Sequence, residues 1–88
     1  MVLFVDDDRG YLQWLSAHPD GFVVNTYRQP SPRYLRLHSA AYRMINGDPA
    51  NGRRWTADYI KVCGTRRELE TWAATVVGGQ VQPCALCA

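Results

Sequence analysis

The sequence holds a single lysine, no apolar run approaching membrane-spanning length, no glycine-rich phosphate loop and only three cysteines in 88 residues. Each shortage excludes something. Without a long apolar run no membrane helix is expected, and without the glycine loop no nucleotide cradle. Met1-Val2-Leu3-Phe4-Val5 is apolar but follows no basic residue and runs into Asp6, Asp7 and Asp8, unlike a secretory signal. A cytoplasmic location is therefore the expectation. There, an odd number of cysteines argues for thiols or metal ligands rather than a disulfide framework. No internal repeat or low-complexity segment is present.

What is present describes one globular domain over residues 1–88. Apolar residues make up 47% and charged residues 20%, and three Trp and five Tyr supply bulky core. A chain this short buries only about 60 to 65% of the surface its unfolded state exposes, so its margin of stability is small. The net charge of +2 conceals a lopsided layout. Residues 1–27 sum to −3, residues 28–54 to +5, and the remainder is neutral. Nine of the ten basic residues are Arg, whose planar fork suits phosphate and carboxylate.

The hydropathy pattern predicts a helix from Asp8 to His18, with Asp8 as N-cap and Tyr11, Leu12, Trp14 and Leu15 as its apolar stripe. Phe22–Tyr27 and Tyr34–His38 are β-rich and flank Pro30-Ser31-Pro32, which makes them a hairpin. A short helix is expected from Ser39 to Ile45 and a loop from Asp48 to Gly52. Tyr59–Cys63 forms the next strand. Thr65-Arg66-Arg67-Glu68 is a capping box, and Leu69, Trp72, Ala73 and Val76 give the amphipathic helix that Gly78-Gly79 ends. The fold class that follows is α+β: a small sheet of about three strands with at least one antiparallel hairpin, packed against N-terminal and C-terminal amphipathic helices.

Strand alternation adds a geometric expectation. If Leu35, Leu37, Ile60 and Val62 face the helices, then Arg36, His38, Lys61 and Cys63 share the opposite side. Cys84-x-x-Cys87 could complete a four-ligand zinc site with Cys63 and His38 if the tail folded over that side, since tetrahedral zinc takes N and S ligands in such sets. The same two cysteines as a redox pair lack the following helix that lowers a thiol pKa.

His38-Ser39-Ala40-Ala41-Tyr42, the strand and capped helix from Tyr59 to Val77, and Gly78-Gly79…Pro83-Cys84-Ala85-Leu86-Cys87 together resemble the metal-binding module of Ada-type DNA-repair proteins. The resemblance covers about the last 50 residues, and it implies zinc. Tyr42 departs from it, standing where the module has a second ligand, so that Cys63 would substitute or the site would be metal-free scaffold. Trp55 to Cys63 is also similar to a stretch of small uncharacterised bacterial proteins. Val2 to Asp8 resembles the opening of a receiver domain, but the chain lacks the length for five βα units, and an acidic first turn that complements the helix dipole explains the aspartates.

For partners, the informative pattern is cations interleaved with rings. Tyr27-Arg28, Arg33-Tyr34-Leu35-Arg36 and Arg53-Arg54-Trp55 alternate the two, with Arg28, Arg33, Arg36, Arg53 and Arg54 to neutralise phosphate and Tyr34 and Trp55 to stack on bases. The expected function is a non-enzymatic module contacting nucleic acid through this face. The alternative is a protein-interaction or self-associating domain, in which the arginines meet an acidic partner such as the chain's own N-terminal region. No acid, base and nucleophile stand at a catalytic spacing.

Overall fold

The computed structural model describes residues 1–41 and 56–83. The predicted hairpin forms: β2 (Phe22–Ser31) pairs antiparallel with β3 (Tyr34–Ser39), Val24 opposite Leu37 and Thr26 opposite Leu35. The register slips between Thr26 and Ser31, near the turn. β4 (Tyr59–Gly64) lines the other side of β2, also antiparallel, with Val24 opposite Val62 and Thr26 opposite Ile60.

Two further strands extend the sheet beyond the expected three. β1 (Val2–Phe4) pairs antiparallel with the outer side of β4, and β5 (Gln82–Pro83) runs parallel to β3, giving the order β1-β4-β2-β3-β5. The expectation of a three-stranded sheet was wrong, because a mixed five-stranded sheet is formed. The class, α+β, stands. Strands of three and two residues are too short to show alternation, and their identity resides in pairing partners distant in sequence.

The second correction concerns the layers. One face of the sheet carries Val24, Leu35, Leu37, Ile60 and Val62, and these pack against Leu69, Trp72 and Ala73 of the C-terminal helix. The other face carries Phe4, Val23 and Cys63, which pack with Ala40 against Tyr11 and Leu15 of α1 (Asp8–Ala17). The helices thus cover opposite faces. The physical reason is that both faces of β2 are apolar at its start, with Val23 and Val24 each fully buried. Neither residue could be left in water without a covering element.

The helix ends follow local chemistry. α1 is capped by Asp7, whose carboxylate accepts the Gly10 N–H at 2.9 Å, rather than by Asp8. Asp8 instead turns to Thr56: its Oδ1 accepts the Thr56 N–H at 2.9 Å and the Thr56 hydroxyl at 2.7 Å. Just past the other end of the helix, Gly21 lets the Trp14 ring lie close to the backbone: a β-carbon there would come within 2.5 Å of the ring's outer edge, and the ring would have to shift. α2 (Arg66–Trp72) begins with the predicted capping box on Thr65 and Glu68, continues as a wider π-helical turn through Ala73–Val77, and stops at Gly78 with φ of 81°. Ser39, expected to begin a short helix, ends β3, and the rest of that segment lies outside the described residues from 42 onward.

Candidate functional site

α1 covers the β1 side and one end of its face of the sheet. At the other end of that face, three tyrosines from three strands converge: Tyr27 of β2, Tyr34 of β3 and Tyr59 of β4. Alternation dictates it, since Tyr27 lies four residues beyond Val23 on the same side and stands opposite Tyr59 in the β2–β4 register. Their ring centroids are 5.5 Å (Tyr27–Tyr34), 5.8 Å (Tyr27–Tyr59) and 5.7 Å (Tyr34–Tyr59) apart. Tyr27 and Tyr59 each remain 41% exposed. Aromatic surface left in water in a cluster, rather than scattered, makes this stretch the candidate site.

The polar groups around the rings form a connected row. Arg36 sets its guanidinium 6.0 Å from the Tyr34 ring centre. Asn25 donates to the Tyr34 hydroxyl at 3.4 Å and accepts from Lys61 Nζ at 2.7 Å. Lys61, the single lysine, lies 6.0 Å from the centre of the Tyr11 ring and is 5% exposed. Burial pushes its ammonium down to about 8, against the opposing pull of Asp8 and Cys63. His38 is likewise held below its ordinary value, by burial first and then by the positive charges of Arg36 and Lys61. The Tyr11 phenol is pushed up, chiefly by burial. The row thus grades from a buried cation beneath α1 to exposed rings at the open end.

The residues singled out from sequence fare unequally. Tyr34 and Arg36 stand in this cluster. Arg33 is exposed at the hairpin turn, where its backbone N–H donates to the Ser31 hydroxyl at 3.2 Å. Arg28 is engaged elsewhere: its guanidinium grips both carboxylate oxygens of Asp6, at 3.0 and 2.9 Å, and donates to the Ala57 carbonyl at 2.7 Å. The hydrogen bonds to Asp6 hold its pKa above the ordinary value. Arg53, Arg54 and Trp55 lie outside the described residues. From sequence, Asn25, Tyr59 and Lys61 receive no binding role, and Tyr27 enters the cation-and-ring pattern without being made a stacking group; the signal that could have found them is the period-two alternation running from Asn25 to Tyr27 and from Tyr59 to Lys61.

Of the candidate metal ligands, His38 and Cys63 share the face that alternation assigns them. Both stand opposite Val23, one on each side of β2, so a whole strand separates them. Cys63 is fully buried, and burial pushes its thiol up to about 12. Such a thiol packs as an apolar side chain. Among the described residues no three His, Cys, Asp or Glu side chains converge as a metal site. Cys84 and Cys87, with Tyr42, lie outside the described residues. Among those residues too, no helix is long and apolar enough to cross a membrane.

Comparison with known proteins gives no match to a family model, to a curated protein or to a solved structure.

Proposed function

We propose that this chain is a non-enzymatic module that binds single-stranded nucleic acid across the tyrosine end of its sheet. The observation that carries the reading is the cluster of Tyr27, Tyr34 and Tyr59 on one exposed stretch of sheet, with Arg36 beside it. Rings presented by adjacent strands suit unstacked bases, whose π-faces stack without demanding a particular sequence. Arg36 and Arg33 supply cations for the backbone phosphates. Arg28 takes no part in this reading, because Asp6 already occupies its fork. A buried, uncharged thiol at Cys63 accords with a reducing compartment such as the cytoplasm.

Fluorescence anisotropy with a labelled single-stranded oligonucleotide tests the proposal. Affinity should fall steeply with salt, Arg36→Gln should lower the salt slope by about one, and Tyr27→Ala or Tyr59→Ala should each cost about 1 to 3 kcal/mol. No binding at low salt would sink the reading. Zinc is a separate proposal resting on Cys84 and Cys87, and native mass spectrometry of protein grown with zinc decides it.

The alternative, head-to-tail self-association between the arginines and the acidic N-terminal region, meets a competitor inside the chain. Asp6 and Arg28 already satisfy each other.

A further inference from the structure

The strand β1 forms one outer edge of the sheet, with alternate backbone N–H and C=O groups turned away from β4 and, among the described residues, no strand beyond it. Proteins commonly guard such an edge with a charge, a proline or a bulge. The opposite edge is guarded: β5 has two residues, one of them Pro83. β1 is also short, at three residues, but it carries no charged side chain, no proline and no bulge. Its side chains add to the exposure, since Val2 is 40% and Leu3 46% exposed, and Val5 immediately beyond is exposed as well. Beside the strand runs a largely apolar groove of about 490 Å³ on the α2 side, walled by Trp72 and Val76.

We propose that β1 pairs antiparallel with β1 of a second copy of this chain, joining two sheets into one continuous ten-stranded sheet. Three features favour an identical partner. Antiparallel pairing of a strand with itself satisfies a twofold axis perpendicular to the sheet, so one contact closes the assembly. The same axis keeps each α2 on one side of the joined sheet, where Leu3 and the groove of one copy face their counterparts in the other. The groove also carries charges of both signs, Arg67 and the Met1 ammonium with Glu68, which pairs with Met1 at 3.3 Å, so Glu68 offsets part of the positive charge that two copies bring together.

Sedimentation velocity on the full chain, across a range of concentrations and at low and high salt, tests this. A dimer that persists at high salt is expected, because backbone pairing and apolar burial are not screened as exposed ion pairs are. Leu3→Lys should weaken it at least about tenfold with an unchanged circular dichroism spectrum, the side chain being half in water already. Amide exchange in β1 should slow as concentration rises, while that in β5 stays constant. A chain monomeric at every concentration would overturn the inference. So would a dimer dissolved by salt or untouched by Leu3→Lys, or a monomer that takes up an unrelated extended peptide along β1.

Discussion

Thr26 shows how a residue's neighbours decide what it contributes. It is fully buried between Leu35 and Ile60 on the α2 face, and its hydroxyl has no hydrogen-bond partner among the described residues. A buried hydroxyl left unpaired costs free energy that an apolar group of the same shape does not. Thr26→Val should therefore raise the unfolding free energy by about 1 kcal/mol, seen as a higher urea midpoint with an unchanged slope. His38 makes the corresponding case for charge. Its folded pKa is lowered from 6.5, so the native state binds the proton less well than the unfolded chain. Stability is accordingly full above 6.5 and declines as pH falls below it, until the folded value is passed. His38→Gln should flatten that decline in melting temperature; an unaltered acid limb would show that another group controls it.

At the scale of elements, the two helix starts differ in how plainly the sequence announces them. Thr65 and Glu68 form a reciprocal box, each side chain accepting the other's backbone N–H, at 3.1 and 2.9 Å. The pattern is local, so sequence shows it. Thr65→Ala should cost about 1 kcal/mol, and Thr65→Ser, which keeps the acceptor, should recover most of the loss in the same denaturation series. The acidic run before α1 offers three caps in a row. Asp7 takes the role because Asp6 is drawn to Arg28 and Asp8 to Thr56, partners 22 and 48 residues away. No local rule ranks the three aspartates. The hairpin and β4 were legible because alternation persists over enough residues, whereas β1 and β5 offer too few.

For the whole molecule, the decisive fact is that the sheet is a middle layer. Apolar residues on both faces require cover on both, and α1 and α2 divide the task. α1 covers only one end of its face, and the uncovered end holds the three tyrosines. Among the described residues, five of the eight exposed large apolar side chains, Met1, Val2, Leu3, Val5 and Val76, gather at the β1 edge or the groove beside it, and two more are Tyr27 and Tyr59. The two surfaces proposed for binding are therefore where this small core leaves its apolar excess, as its surface-to-volume ratio requires. They are separate, one on a sheet face and the other on a sheet edge. Loss of self-association in Leu3→Lys need not alter oligonucleotide binding, and the two proposals stand or fall independently.

By itself, the sequence determined the α+β class, the hairpin, β4, the capped C-terminal helix and the common side of Arg36, His38, Lys61 and Cys63, because each follows from period, cap or turn chemistry within a few residues. Only the tertiary structure decided the strand order, the opposite placement of the helices, the capture of Arg28 by Asp6 and the meeting of Tyr27, Tyr34 and Tyr59. Those depend on which strands lie side by side. Pairing is settled by burial summed over the whole chain, and no local spacing encodes it.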